Sequence, residues 1–229
     1  MRFILPVYSL VLVFLFSACE EQVENPNIDL EQDYQPLEIG NFWIYDVEET
    51  IFFGENDFEE SEFFYRDRIR TSFRNAENEI VYIVQRAKSS NKIDWTVEIE
   101  YTLQYRDQIL IRIINNSPLA ALTFPPKIGT RWNGRIYQAE GNDDFEIAQI
   151  GTSELTGFEG VSSVRVNQED LDDEITIRDI RYEIFGKGIG LLEKYDEVVT
   201  YCSRNDCLGQ QLINSGSKTY LKLVEYGTN

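Results

Sequence analysis

Histidine is absent from this chain of 229 residues. Because histidine is the commonest general base and the commonest metal ligand, its absence removes every Ser-His and Cys-His nucleophile arrangement. Enzymes that use paired carboxylates, such as glycan hydrolases, stay open as a minor alternative. The sequence therefore predicts a protein that is not an enzyme and that carries no cofactor.

Basic residues are scarce: 21 Lys and Arg stand against 40 Asp and Glu, a net charge of −19. Such a charge repels phosphate backbones and excludes nucleic acid as a partner. Excess acid is typical of a soluble surface, and cation binding is the alternative. Two acidic turns supply candidate calcium ligands, although neither matches the EF-hand loop. These candidates are Asp143, Asp144, Asp170, Asp172 and Asp173.

Long apolar runs are also missing, apart from Phe3–Phe16. This run is shorter than the roughly 20 residues that cross a bilayer, so it indicates a processing segment. Phe16-Ser17-Ala18-Cys19 follows it and is similar to a lipobox. We predict a lipoprotein signal peptide over 1–18, an acylated (palmitate-bearing) Cys19, and a lipid anchor in the bacterial cell envelope, at the outer membrane, on its periplasmic or its surface-exposed face. An ordinary secretory signal is the alternative.

Only three cysteines occur, and acylation would consume Cys19. An exported protein can keep Cys202 and Cys207 as a disulfide, worth about 2 kcal/mol for so short a loop. Two free thiols are the alternative. A zinc site needs about four ligands, and two thiols without histidine fall short. We therefore expect a disulfide and no metal.

Residues 19–36 contain acids but no bases, with Pro26 and Pro36 as helix breakers. Like-charge repulsion predicts an extended tether, followed by one domain over 37–229. The acids directly behind Cys19 resemble the export signal of surface lipoproteins. A plain periplasmic linker explains them equally well.

From Leu37 onward the pattern is typical of β-structure. Polar and apolar residues alternate along Asp94–Gln104 and Glu62–Arg74, which indicates half-buried strands. Further strands are predicted at Phe42–Phe53, Ile80–Ala87, Gln108–Ile114, Arg131–Ala139, Phe145–Leu155, Val161–Val166, Glu174–Phe185, Leu191–Tyr201 and Lys218–Tyr226. One short helical turn is expected at Ser117–Leu122. The prediction is an all-β single domain, a strongly curved antiparallel sheet or open barrel of about ten strands.

Four arginines share one face of the strand Glu62–Arg74. They are Arg66, Arg68, Arg70 and Arg74. The forked guanidinium group of arginine can form paired hydrogen bonds with a carboxylate or a phosphate, so an anion or acidic-glycan site is one interpretation. Cross-strand pairing with Glu98 and Glu100 is the other, and the sequence favours it.

Three short sequence motifs, which we call stations, occur in order along the chain: Tyr34–Tyr45, Phe124–Trp132 and Tyr182–Leu192. Their Pro-Leu-x-x-Gly-x-x-Trp-x-Tyr, Pro-x-x-x-Gly-x-x-Trp and Gly-x-Gly-x-Gly-Leu patterns resemble a group of uncharacterised bacterial lipoproteins. The resemblance implies an all-β domain and brings no catalytic residues.

The glycines of these stations have structural explanations. Gly40 and Gly129 each precede a tryptophan by three residues, and that aromatic ring is expected to plug an end of the core. Gly186–Gly190 lacks the Lys-Ser/Thr pair of a phosphate loop, so a tight bend is predicted.

The function expected from these features is a non-catalytic binding or scaffold domain held at a membrane by lipid. Its ligand is a glycan, a lipid or a protein. Three Trp, 13 Tyr and 14 Phe also permit a carrier of a lipid or hydrophobic ligand in a half-open barrel, or an aromatic patch that stacks on sugars.

Overall fold

The computed structural model describes residues 30–229. The predicted signal peptide, Cys19 and the tether up to residue 29 lie outside them. One short 3-10 helix, Gln32–Tyr34, precedes twelve strands. The strands are β1 (Asn41–Gly54), β2 (Asp57–Arg74), β3 (Ile80–Ser89), β4 (Thr96–Arg106), β5 (Ile109–Ile114), β6 (Ser117–Thr123), β7 (Arg131–Asn133), β8 (Asp144–Thr152), β9 (Ser162–Asp172), β10 (Ile177–Gly186), β11 (Gly190–Tyr201) and β12 (Ile213–Thr228). Within this part of the chain, no helix is long and apolar enough to cross a membrane.

All twelve strands belong to one antiparallel sheet in the order β6-β5-β4-β3-β2-β1-β12-β11-β10-β9-β8-β7. Consecutive strands pair with each other except β6 and β7, which are the two edges, and β1 pairs with β12 in the middle of the sheet. The predicted fold class is confirmed, with twelve strands in place of about ten.

The two edge strands, β6 and β7, come together and nearly close the sheet into a barrel. The backbone N–H of Ala120 donates to the Gly134 carbonyl at 2.8 Å. The indole Nε1 of Trp132 donates to the Ala120 carbonyl at 2.7 Å. These bonds satisfy part of each edge, which reduces the backbone that is open to pair with another chain.

The barrel has two different ends. Since the strands alternate in direction, the β2–β3, β4–β5, β6–β7, β8–β9 and β10–β11 connections share one end with residues 30–40. We call this the closed end. The opposite end, which carries the β7–β8, β9–β10 and β11–β12 connections, is the mouth.

Residues 30–40 cover the closed end. Tyr34 is buried, and the Tyr105 hydroxyl donates to the Gln32 carbonyl at 2.7 Å. The Gly188 N–H donates to the Asp33 carbonyl at 2.8 Å. The prediction that the tether extends to residue 36 is therefore wrong, because the apolar Leu30 and Tyr34 pack against the core.

Trp43 plugs the closed end, as its station predicts. Its side chain is 3 % exposed, and its Nε1 donates to the Ile189 carbonyl at 2.6 Å. Gly40 has φ +97°, and a Cβ there would lie 2.5 Å from the Asn229 carbonyl oxygen, so only glycine fits. The bend predicted at Gly186–Gly190 is confirmed as the β10–β11 turn.

Two local predictions are wrong. Ser117–Leu122 belongs to edge strand β6 and not to a helical turn, because pairing with β5 overrides the helix propensity of its Leu and Ala residues. The strand predicted at Arg131–Ala139 stops at Asn133. Beyond it the backbone turns, and the Arg135 N–H donates to the Asn133 side chain at 2.9 Å.

β-Bulges interrupt the two cleanest alternating strands. In β4, Ile99 opposes Arg86 and Val97 opposes Ala87, which leaves Glu98 unpaired between them. The extra residue moves Val97 and Trp95 to the outer face, although the alternation assigned them to the inner one. Arg70 occupies the same kind of position in β2 and moves Phe73 outward.

Candidate functional site

An ion pair crosses the interior of the barrel. Arg112 on β5 bonds Glu183 on β10 through both guanidinium Nη atoms, with Nη1 at 3.3 Å from Oε2. Lys194 on β11 places its Nζ 3.5 Å from Glu183 Oε1 and 2.9 Å from Asp196. Glu183 is fully buried, so the two halves of the sheet are joined through a charge withdrawn from water.

The ionised state of Glu183 depends on these partners. Burial alone would raise the pKa of the carboxyl group, because it disfavours the charged form. Arg112 and Lys194 outweigh burial and hold the pKa of Glu183 below its ordinary value. The carboxylate therefore stays charged at neutral pH and makes a poor general acid.

A second interior cluster lies on β2, β3 and β4. Arg86 binds Asp67 through two bonds, Nε to Oδ1 at 2.7 Å and Nη2 to Oδ2 at 2.6 Å. The Tyr101 hydroxyl donates to Asp67 Oδ2 at 2.9 Å. The Arg86 guanidinium also lies 4.6 Å from the ring centre of Tyr65. Both carboxylate oxygens of Asp67 thus accept hydrogen bonds, and its negative charge is compensated by Arg86 inside the fold.

Above this polar layer, the mouth holds an open cavity of about 480 Å³. Its lining residues come from β6, the β7–β8 connection, β9, β10 and β11. They are Ser117, Leu119, Arg135, Gln138, Asp143, Gln168, Arg181, Asp196 and Val198. Two acidic and two basic side chains therefore line the cavity, so its electrostatic potential favours neither a highly charged cation nor a highly charged anion.

Arg181 organises the wall of the mouth. Its Nη atoms lie 3.1 and 3.2 Å from the oxygens of Asp143, and its Nε donates to Asp179 at 2.6 Å. Partial burial would lower the pKa of Arg181, but its bonds to the two carboxylates raise it above its ordinary value. The guanidinium is held in one orientation and stays charged.

Gln168 lines the same cavity and lies beside Glu183. Its side chain is 3 % exposed, and its amide interacts with the Glu183 carboxylate and helps to lower the pKa of Glu183, although Nε2 makes no hydrogen bond of good geometry within residues 30–229. Buried polar atoms in folded proteins nearly always have a partner. An oxygen atom entering the mouth would complete the hydrogen bonding of this amide.

The predicted calcium ligands have other partners. Asp143 binds Arg181, and Asp172 accepts from Arg178 Nε at 2.7 Å. Asp144 accepts from Asn142, and Asp173 accepts from the backbone N–H groups of residues 175–177. Within residues 30–229 these acids form no group of three whose ligand atoms lie within 4.8 Å of one another. Calcium binding by them, Asp170 included, stays a prediction.

Cys202 and Cys207 form a disulfide in the β11–β12 connection, with Cα atoms 5.8 Å apart. Both side chains are buried at the mouth end of the barrel. Asp206 lies close to the two sulfur atoms, but sulfurs bonded to each other are not thiolate ligands, so this group is not a metal site.

The cross-strand pairing predicted for the β2 arginines is wrong. Glu100 accepts a bond from Gln85 at 3.3 Å. The bulge at Glu98 turns that carboxylate toward Tyr65, and burial together with Glu98 raises the pKa of Tyr65 to about 12. Within residues 30–229, neither acid forms an ion pair with the arginines, and Glu100 is separated from Arg68 by Gln85 on β3.

A row of tyrosines crosses the outer face of β10, β11 and β12. Tyr182 and Tyr195 stack with ring centres 5.4 Å apart, and Tyr220 meets Tyr195 edge-on at 5.7 Å. Arg165 lies 3.7 Å from the ring centre of Tyr182. These rings cover one another and a cation, which leaves less open ring surface for a sugar than their number suggests.

The sequence analysis missed Arg112, Glu183 and Gln168. One signal was present: Arg112 is the single charge in the apolar strand Ile109–Ile114, and Glu183 stands between the apolar Tyr182 and Ile184. A lone charge in a buried strand needs a partner. That partner lies 71 residues away in the chain, so it could be identified only from the folded structure.

Comparisons with known proteins add little. No protein-family model matches the chain, and no curated protein does. A solved structure from Bacteroides fragilis, of a protein described as exported and as having a YmcC-like fold, superposes with a TM-score of 0.44 at 10 % identity, over 85 % of this chain and 98 % of that one. A protein from Parabacteroides distasonis described as a lipoprotein gives 0.41 at 9 % identity with the same coverage. At these scores the likeness assigns no function to the chain.

Proposed function

We propose that this protein is a lipid-anchored binding protein of the bacterial cell envelope, and that its mouth binds a neutral, hydroxyl-rich ligand the size of a mono- or disaccharide. The observation that carries the ligand assignment is an open cavity of about 480 Å³ whose lining combines two arginines, two aspartates and the buried amide of Gln168. Cavities of this volume are ordinary small-molecule sites.

The chemistry of the mouth supports a neutral ligand. Arg135 and Arg181 balance Asp143 and Asp196 around the cavity. A strongly charged ligand would gain from one pair of residues and be repelled by the other. Sugar hydroxyls both donate and accept hydrogen bonds, so they can use the carboxylates, the guanidinium groups and the amide of Gln168 together.

The state of the interior charges supports binding without catalysis. Asp67, Asp143 and Glu183 each hold an arginine. Among them, Glu183 has its pKa lowered by these bonds, so it has no proton to give at neutral pH. The absence of histidine removes the usual substitute.

The anchor and the orientation rest on Cys19 and on residues 30–40. The Phe16–Cys19 pattern supports acylation of Cys19. Residues 19–29 can span at most about 40 Å, and the chain reaches the barrel at its closed end. In this proposal the mouth therefore points away from the membrane that holds the lipid.

Saturation-transfer-difference NMR on residues 20–229 with a panel of mono- and disaccharides tests the ligand assignment. We expect at least one sugar to bind and Gln168→Met to weaken it by at least tenfold. Gln149→Met, a matched change at an exposed position, should leave the affinity unchanged. Failure of every sugar to bind would overturn the assignment, and so would a lipid-mass adduct in native mass spectrometry, which would favour the hydrophobic-ligand carrier.

The anchor is tested separately by labelling cells with a clickable fatty acid. The wild-type protein should carry the label and stay in the membrane fraction, and Cys19→Ser should lose both properties. Label that persists in Cys19→Ser would contradict the proposal.

A further inference from the structure

Three arginines form a positively charged strip on the outer face of β2. We call Arg66, Arg68 and Arg70 the arginine cluster. Arg66 opposes Ile44 on β1 and Ala87 on β3, and Arg68 opposes Phe42 and Gln85. The cross-strand neighbours of Arg66 and Arg68 are thus uncharged, although the whole chain carries a net charge of −19.

None of the three arginines has a counter-ion in the part of the chain that the structure describes. The interior arginines Arg86 and Arg112, by contrast, each bind a carboxylate. The Nε of Arg68 is buried and makes no hydrogen bond within residues 30–229. Burial and the neighbouring charges of Arg68 and Arg70 lower the pKa of Arg66.

This arrangement costs the folded protein free energy. Like charges repel one another, and a buried donor without a partner loses the hydrogen bond that it makes to water in the unfolded chain. An anion bound at the cluster would remove both costs. The cluster therefore has the charge and the free donor expected of an anion-binding site.

The cluster is also ordered in advance. The Arg66 guanidinium lies 4.5 Å from the ring centre of Trp95, and the indole Nε1 of Trp95 donates to the Lys92 carbonyl at 3.1 Å. Cation–π stacking limits the freedom of the guanidinium. Less side-chain entropy is then lost when a ligand binds.

We propose that the arginine cluster binds a short anion that carries two or more carboxylate or phosphate groups about 7 Å apart. The spacing follows from Arg66 and Arg68, which are alternate residues on one face of the strand, and Arg70 occupies the bulge next to them. Each guanidinium can take one such group through a fork of two hydrogen bonds. The ligand is short because the negative charge on the rest of the protein repels a long polyanion. This site is separate from the mouth and does not depend on the function proposed for it.

Isothermal titration calorimetry on residues 20–229 tests the site with four probes: inositol hexakisphosphate, trigalacturonate, inorganic phosphate and vesicles containing phosphatidylglycerol. We expect one of the two multivalent probes to bind at least tenfold more tightly than inorganic phosphate, with an affinity that falls as salt rises. The better of the two identifies phosphate or carboxylate as the group recognised. Binding to none of the four would overturn the proposal, and binding to vesicles alone would replace it with a membrane contact.

The decisive variant is Arg66→Met/Arg68→Met/Arg70→Met. Methionine keeps apolar cover over the buried Ile44 and Ala87 while removing the charges. We expect a loss of at least tenfold in affinity together with an unchanged or higher Tm, because the repulsion and the unsatisfied Nε are gone. Arg131→Met/Arg204→Met, at two exposed arginines that do have acidic partners, should keep the affinity.

A set of Arg→Lys changes at the three positions provides a second measurement if the methionine variant does not fold. It keeps the charge but loses the forks, so the affinity should fall while the salt dependence stays. Wild-type affinity in both the methionine and the lysine variants would overturn the proposal. So would wild-type affinity in the lysine variant when the methionine variant does not fold.

Discussion

Strands β10 and β11 change character from the closed end of the barrel to its mouth. At the closed end they contribute Phe185 and Leu192, both almost completely buried. Two residues further along each strand, on the same face, come Glu183 and Lys194, and beyond them Arg181 and Asp196. One pair of strands therefore supplies an apolar floor, a buried ionic layer and a polar rim. In this arrangement the floor and the ionic layer stabilise the barrel, and the rim is the part available to a ligand. Substitutions at the three levels should therefore affect stability and ligand binding separately.

The largest effect is expected at the floor. Phe185→Ala removes a ring that is 1 % exposed and should lower the free energy of unfolding by about 3–5 kcal/mol. Phe53→Ala removes the same ring from a position 60 % exposed and should cost less than about 1 kcal/mol. Urea unfolding of both variants measures the contrast, and equal losses would show that the two levels do not differ.

The second-largest loss of unfolding free energy is expected for substitutions in the buried ionic layer. Glu183→Gln leaves Arg112 and Lys194 without their shared carboxylate and should cost about 3 kcal/mol at pH 7. Glu146→Gln, in the exposed pair with Arg131, is the matched control and should cost at most about 1 kcal/mol. A loss no larger than that of the control would mean that Glu183 is not a buried ion-pair partner.

The same variant should respond to pH in a defined direction. Because the pKa of Glu183 is lowered in the folded protein, its stabilising contribution is complete above the ordinary glutamate pKa of about 4.3. It is lost as pH falls below that value through the folded pKa. The difference in unfolding free energy between wild type and Glu183→Gln should therefore be constant from pH 7 to 6 and shrink below pH 4. A difference that grows in acid would contradict this sign.

The disulfide near the mouth should matter less. Reduction of Cys202–Cys207, which closes a short loop, should lower the free energy of unfolding by about 2 kcal/mol. The measurement is urea unfolding with and without reductant. Cys202→Ala/Cys207→Ala should be insensitive to reductant, and sensitivity in that variant would point to another cause.

The smallest stability effect is expected at the rim. Asp143→Asn removes one of the two carboxylates that hold Arg181, and Asp179 remains, so the cost should be about 1 kcal/mol. Under the proposed function the same change should weaken sugar binding at least tenfold. Asp144→Asn next to it should alter neither quantity, and an equal loss of affinity in both variants would exclude a specific role for Asp143.

The sequence predicted the general fold but not the fine register. Alternation identified eleven of the twelve strands, because half-buried strands have a clear period of two. The missing strand, β6, is built from Leu and Ala residues that favour helix when read alone. Bulges at Glu98 and Arg70 could not be read from alternation, because one extra residue reverses the facing of everything beyond it.

The candidate site was harder to predict. The charges at the mouth come from strands far apart in the chain, and Asp143 was interpreted as a calcium ligand because its partner Arg181 lies 38 residues away. A carboxylate in a turn has the same local sequence whether it binds a cation or an arginine. Only the fold shows which of the two it faces.

The pairing of β1 with β12 has a consequence for the order in which the chain can fold. Asn41 lies opposite Thr228, so the contacts in the middle of the sheet join strands from the two ends of the domain. Loop-closure entropy makes such long-range pairing slow. Until β12 has formed, both β1 and β11 present unpaired edges that can add a strand from another chain. The newly synthesised domain would therefore be most prone to aggregation in the interval before its last strand is in place.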